Sequence, residues 1–369
     1  MNILLVGEYS GFFTNLRSGL EKKGHTVTLL SDGDGFKKIG GSNGNISLPN
    51  GKNIISKIYG LCIYPFFNRF LKKKYDATII INFDVFHPRI IKKMMKKLRK
   101  KTPALLLTSC GYDYALLEAF NNKQFEYYMF DENVDKVERF NSKSWKVFLK
   151  DDGEKKVIDK YIDLVIPTAY EYGVGYSDKK SDIILLPVDL EKITYQENIV
   201  KDKIVFFHGL NRETEKGTKY IVEALKKLEE NYPDDVEVIV DGKMPYDKYL
   251  EVMSKTNVVV DQCKSYWYGM NAIIAMAQGK VVLSGARKES LAAIGLTNKD
   301  CPIVPIGPNV EEIYKQLEMV VKNKNSIATM GKNSRAYVER YHDNLKIAQK
   351  YVDEIEKILK EKKLWKVLF

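Results

Sequence analysis

The sequence predicts an α/β protein made of two Rossmann-like, doubly wound parallel-sheet domains. Three observations predict it. Short β-branched and aliphatic runs recur along the chain with helical periodicity between them, the alternation of a parallel sheet buried on both faces. At 369 residues the chain exceeds one typical core and suits two. A polar stretch after Pro187-Val188-Asp189, running to Lys203, separates two such sets.

In the first set, residues 3–7 read as a strand, Glu8-Tyr9-Ser10-Gly11 as a loop, and the next residues to about Lys23 as a helix stopped by Gly24-His25. Strands follow at Thr26–Leu30, Thr78–Ile81, Ala104–Thr108, Leu164–Ile166 and, shorter, Ile183–Leu186. In the second set, strands are expected at Ile204–Phe207, Val236–Val240, Val258–Val260, Val281–Leu283 and Ile303–Ile306. Helices are expected near 217–230, 246–254, 271–278, 310–323 and 334–362, the last long stretch beginning at about Asn344. The expected division is 1–190, a linker at 191–203, then 204–343, with a helical segment 344–369.

Composition narrows the class. Hydrophobic content of 44% and charged content of 29% are ordinary for a globular protein. No apolar run approaches the roughly 20 residues that cross a bilayer. The start, Met1-Asn2-Ile3-Leu4-Leu5-Val6-Gly7, reads as a strand and lacks a basic leader and cleavage site, so a cytoplasmic location is expected. Cys62, Cys110, Cys263 and Cys301 are scattered, as are the four histidines, which argues against a disulfide framework or a metal site. The net charge of +11 is concentrated: residues 51–101 hold eleven Lys and three Arg against Asp76 and Asp84. Such a segment points to an anionic partner. Nucleic acid is not expected, because no helix-turn-helix or RRM signature accompanies the charge.

Two strand–glycine–helix corners point to chemistry. The first runs Ile204–Phe207, His208-Gly209-Leu210-Asn211-Arg212, then Lys216-Gly217 into a helix. The second runs Val258–Val260, Asp261-Gln262, then Tyr268-Gly269-Met270-Asn271 into a helix, closing with Gly279-Lys280. Such corners aim backbone N–H groups and a positive helix end at an anion. With Arg212 and Lys216 added and no metal cage evident, they suit a leaving diphosphate, as in nucleotide-sugar-dependent glycosyl transfer.

In order and spacing, Arg212…Lys216-Gly217, Asp261-Gln262, Tyr268-Gly269, Ala275-Met276-Ala277-Gln278-Gly279-Lys280 and Pro302-Ile303 resemble the GT-B-fold glycosyltransferases, in particular the retaining glycosyltransferase family four (group 1) type. The resemblance is strongest over about 200–345. Gly24-His25-Thr26-Val27, Gly111-Tyr112-Asp113 and Pro187-Val188-Asp189 match more loosely. It implies two Rossmann-like domains facing a cleft, acceptor on the N-terminal domain, nucleotide sugar on the C-terminal one, and a final helix crossing back to the first domain. It also implies retention of configuration without a metal. The family carries two glutamates eight positions apart, for the donor sugar and the ribose; here Tyr266 and Ile274 stand there.

Each candidate has a functional and a structural reading. Arg212 and Lys216 either neutralise the leaving diphosphate or are solvated charges beside Glu213 and Glu215. Gly209 and Asn211 share their loop as donor-binding candidates. Gly269 lets backbone approach a phosphate and the N–H groups of Met270 and Asn271 point at it, or the glycine only serves the turn. Gly7, Ser10 and Gly11 contact the diphosphate from the opposite domain or shape the acceptor pocket, or they are an ordinary β1–α1 turn. Asp113 orients an acceptor hydroxyl or caps the helix 114–120, with Glu8 a weaker second carboxylate. Glu289 reaches the donor in place of the absent glutamates or is a charge near a helix start.

The basic segment offers a membrane surface. Residues 59–71 are rich in large apolar side chains. Over 90–101, Ile90, Ile91, Met94, Met95 and Leu98 share one helical face and Lys92, Lys93, Lys96, Lys97 and Lys100 the rest. That is either an interfacial helix on an anionic inner leaflet or a core-facing helix with solvated lysines. The expected function is transfer from a UDP- or GDP-sugar co-substrate, with no other cofactor, to a carbohydrate or lipid-diphosphate-linked acceptor in surface polysaccharide (capsule or O-antigen) assembly, peripheral on the inner membrane face. The alternative is a non-catalytic, glycosyltransferase-like binding or scaffold protein.

Overall fold

The computed structural model describes residues 1–31, 45–47, 72–129, 142–242, 244 and 246–368. The apolar stretch 59–71 and Cys62 lie outside them. The chain forms two compact units, Met1–Gln124 with Asn133–Asp189 and Asn344–Phe369, and Phe125–Glu132 with Leu190–Asp343.

The first unit is a six-stranded, all-parallel sheet in the order β3-β2-β1-β4-β5-β6. Its strands are β1 Asn2–Val6, β2 Thr26–Ser31, β3 Asn45–Ser47, β4 Ala77–Ile80, β5 Ala104–Ser109 and β6 Leu164–Pro167. β4 and β5 are buried throughout, as apolar runs covered on both faces must be. On one face, Leu4, Ile80, Leu105 and Val165 pack with Ile91, Met94, Met95 and Leu98 of helix Ile91–Arg99. The apolar side of that helix is therefore core, and Lys92, Lys93, Lys96 and Lys100 are its exposed side. This corrects the interfacial-helix reading of 90–101, because the residues that would enter lipid are already buried in protein.

Helix Phe12–Lys22 packs against the C-terminal helix Asn344–Leu368. Gly19 permits this approach, since a Cβ there would lie 2.3 Å from the Asn344 carbonyl oxygen. Farther along, Lys362 and Arg99 both pair with Asp163, so the C-terminal helix is fixed to the first unit by ion pairs as well as by packing.

The second unit is a five-stranded, all-parallel sheet in the order β11-β10-β9-β7-β8. Its strands are β7 Ile204–Gly209, β8 Val236–Asp241, β9 Val258–Val260, β10 Val281–Ser284 and β11 Val304–Pro305. Ile204, Phe206, Val258, Val260, Val281 and Leu283 meet Ile221, Leu225 and Leu228 of helix Thr218–Asn231 and Ile313, Leu317 and Val320 of helix Val310–Lys322.

Three expectations fail locally. Ile183–Leu186 is not a strand; an isolated bridge to β6 lies just before it at Lys180, the Ile184 N–H donates to the Pro167 carbonyl, and Ile184 and Leu185 are buried without a ladder. The helical stretch near 334–362 is two helices, Ile327–Tyr341 and Asn344–Leu368, parted at His342-Asp343. An N-terminal domain unbroken from 1 to 190 is interrupted by Phe125–Glu132, which belongs to the second unit.

Candidate functional site

In an open parallel sheet, ligands bind beyond the carboxyl ends of the strands where the winding reverses. In the second unit the order reverses between β7 and β9. The loops leaving these strands are the two corners singled out in the sequence.

After β7, Arg212 takes a left-handed conformation (φ 52°) and starts the short helix Glu213–Lys216. Gly217 follows at φ 75°, where a Cβ would lie 2.4 Å from Cys263 Sγ, so both conformation and space require glycine. The Cys263 N–H donates to the Lys216 carbonyl at 2.9 Å, joining the two corners.

The two cations of the first corner have different fates. Arg212 is exposed. Lys216 is 5% exposed and its Nζ donates to Asp261 Oδ1 at 2.9 Å. Asp261, buried at the end of β9, also accepts from Asn271 Nδ2 at 3.0 Å and Ser284 Oγ at 3.4 Å. One carboxylate thus collects side chains from the β7 loop, the helix Met270–Ala277 and the end of β10. Burial opposes its ionisation, but Lys216 and the Asn271 bond outweigh that and hold its pKa below the usual carboxylate value. Asp261 is the centre of the site; the sequence placed it in the second corner but gave it no role, and the signal for one was an acid terminating an all-valine strand.

His208 lies beneath this pair, fully buried, with Nδ1 2.7 Å from the Val260 carbonyl and Nε2 2.9 Å from Thr218 Oγ1. A carbonyl only accepts, so Nδ1 carries the proton and Nε2 accepts from the Thr218 hydroxyl.

The second corner ends in helix Met270–Ala277, whose N-cap is Gly269 with no side-chain cap. Gly269 has φ −103°, which any residue adopts, and among the described residues a Cβ would meet only Gln262 Oε1, at 4.0 Å. Met270 is buried and the Asn271 side chain is committed to Asp261. The loop is anchored behind by Tyr268, whose buried hydroxyl is 2.8 Å from Tyr337 Oη and 3.0 Å from His342 Nε2.

Glu289 is not aimed at this centre: it is exposed and paired with Arg287 Nε at 3.4 Å. Arg287 also reaches Glu126 at 2.7 Å and lies over the rings of Tyr127 and Tyr266. Tyr266, 4% exposed, accepts the Glu126 N–H at 2.7 Å and packs on Phe125. The position read as the absent glutamate therefore holds the segment that begins at Phe125. Ile274 is partly buried in the helix. Gly209 ends β7, and Asn211 is exposed in the same loop as Arg212.

Gly7, Ser10, Gly11, Glu8 and Asp113 belong to the first unit. Gly7 (φ 100°) ends β1, and a Cβ there would lie 2.2 Å from Ile81 Cγ2. Ser10 and Gly11 are also left-handed and lead into helix Phe12–Lys22. Glu8 is buried and accepts from the Thr14 N–H and hydroxyl, which makes it a helix cap. Asp113 is buried as well: Oδ1 takes the Leu116 N–H at 2.9 Å, and Oδ2 takes Ser109 Oγ at 2.6 Å and Tyr176 Oη at 2.9 Å. Of its two readings the structure realises the N-cap. Asp113→Ala is expected to lower stability by roughly 1–3 kcal/mol, as a lost cap with stranded donors does, and to leave nucleotide affinity unchanged. Chemical denaturation beside nucleotide titration and sugar-transfer rates checks this; an unchanged midpoint with transfer lost at normal nucleotide affinity would reinstate the acceptor role.

Among the described residues no His, Cys, Asp and Glu group could hold a metal ion, and no helix is long and apolar enough to cross a membrane.

No family model matches the chain, and no curated protein matches it in sequence. Solved structures match it over nearly its whole length. Sucrose-phosphate synthase from Thermosynechococcus elongatus is 16% identical with a TM-score of 0.63, covering 98% of this chain and 100% of that one. HepE of Anabaena, solved with UDP and glucose, is 14% identical with a TM-score of 0.60, covering 96% and 99%. A glycosyltransferase from Rickettsia africae is 14% identical with a TM-score of 0.56, covering 97% and 98%. At these identities the likeness shows the fold, which is GT-B.

Proposed function

We propose that the chain is a nucleotide-sugar-dependent glycosyltransferase whose second unit binds the donor diphosphate between the Lys216 loop and the start of helix Met270–Ala277. One observation carries this. Lys216 is a buried ammonium with three N–H donors, and among the described residues Asp261 is its one partner. A diphosphate supplies the missing acceptors, and the uncapped helix start beside Asn271 adds N–H groups and positive potential. Charge developing on the leaving diphosphate is then met by Lys216, by Arg212 folding in from its exposed position, and by the helix, without a metal. The GT-B fold and the UDP held by HepE favour this donor class.

A UDP- or GDP-sugar as donor, retention of configuration, and a carbohydrate or lipid-diphosphate-linked acceptor in surface polysaccharide assembly complete the reading. Inner-membrane contact belongs to it in electrostatic form only, through exposed Lys92, Lys93, Lys96 and Lys100. A second reading, a non-catalytic scaffold, draws on Tyr266, which holds Arg287 and the Glu126 N–H instead of offering a carboxylate.

Thermal melting against UDP, GDP and their sugars separates the two. A bound ligand at about 100-fold its Kd is expected to raise Tm by roughly 5 °C or more. Absence of any shift across the panel sinks the donor-site reading and leaves the scaffold.

A further inference from the structure

Gly269 poses a question that folding does not answer. Its φ is ordinary, and among the described residues, apart from its chain neighbours, the one atom near an added Cβ is Gln262 Oε1, at 4.0 Å. Neither strain nor crowding calls for glycine, so the space before it is kept open.

What faces that space is a fixed acceptor. Gln262 is partly buried just after β9, and its Nε2 donates to the Trp267 carbonyl at 2.8 Å. A carbonyl cannot donate, so the amide nitrogen must be the atom on Trp267 and the oxygen must be the one toward Gly269. Among the described residues no donor reaches that oxygen. Trp267 is itself held, 4% exposed and stacked on Tyr268 at 4.3 Å between ring centres. Next along the chain on either side are Asp261, which carries Lys216, and the helix start at Met270.

We propose that Gln262 reads the sugar of the donor, its Oε1 accepting a hydroxyl or amide N–H from the group attached to the diphosphate as that group passes Gly269. The assignment rests on the nucleotide-sugar reading above. A neutral carbonyl can accept a hydroxyl or amide N–H here without adding a further negative charge beside the diphosphate. Gln262 therefore contributes to binding of a nucleotide sugar and nothing to binding of the nucleotide diphosphate alone.

The test pairs UDP-glucose and UDP-N-acetylglucosamine with UDP, and GDP-mannose with GDP, by calorimetric titration of wild type, Gln262→Met and Gly269→Ala. Wild type is expected to bind at least one nucleotide sugar more tightly than its parent. Gln262→Met should weaken that sugar by about five- to tenfold, the value of one lost hydrogen bond, while parent affinity stays within about twofold. Gly269→Ala should melt with wild type, because the described residues leave room for the methyl, and should weaken nucleotide sugars; as the cap of the helix start at the diphosphate it is not expected to spare the parent nucleotide, which Gln262→Met alone does. Unchanged binding of sugar and parent in Gln262→Met overturns the assignment. Equal loss of sugar and parent in Gln262→Met also overturns it, leaving a loop anchor through Trp267. Wild type that binds none of the five ligands removes the proposed function, and this assignment with it.

Discussion

Lys216→Ala is expected to abolish nucleotide-diphosphate binding and to destabilise the second unit, and the two effects have different origins. The first is loss of a preorganised donor at the anion site, worth about 10²-fold or more in transfer. The second comes from Asp261. Deprived of Lys216, a carboxylate 1% exposed keeps, among the described side chains, only Asn271 and Ser284, and an uncompensated buried charge of this kind costs roughly 3–5 kcal/mol. A single variant cannot separate them. The double variant Lys216→Met with Asp261→Asn can, because it removes both charges while Asn still accepts through its carbonyl. Its urea midpoint should return most of the way to wild type while UDP and GDP binding stays lost. If it binds nucleotide as wild type does, Lys216 is a structural ion and not a ligand of the diphosphate.

That pair marks where the sequence could be read and where it could not. The parallel strands were legible because burial on both faces leaves unbroken apolar runs, as in Ala104–Ser109 and Val258–Val260. Ile183–Leu186 gave the same signal without a ladder, since an apolar run records burial and not pairing. Helix Ile91–Arg99 was legible as amphipathic, but periodicity does not say whether protein or lipid covers the apolar side. Arg212 and Lys216 looked equivalent on paper. Their difference, one exposed and one buried on Asp261, is a contact across 45 residues that no local pattern encodes. The docking of Phe125, Glu126 and Tyr127 on Tyr266 and Arg287 is longer-range still.

Acidification should loosen the second unit through His208. Burial pushes its pKa down from 6.5 to about 4, with Lys216 acting the same way against the opposing Val260 carbonyl and Asp261. The unfolded chain therefore takes up a proton between pH 6.5 and 4 that the folded chain refuses. Stability present above 6.5 falls through that window, by roughly 3 kcal/mol at its lower end. Asp261 does not share the window. Its pKa is lowered from 3.8, so its contribution persists down to about that pH and is lost only below it. The consequence reaches the site because protonated His208 can no longer accept from Thr218, the residue after Gly217, and the Lys216 loop loses its support. Urea midpoints at pH 7, 6, 5 and 4 should fall steeply for wild type and more gently for His208→Asn, whose amide can still donate to Val260 without titrating. Parallel curves for the two proteins across this range would place the acid sensitivity elsewhere and leave His208 as packing alone.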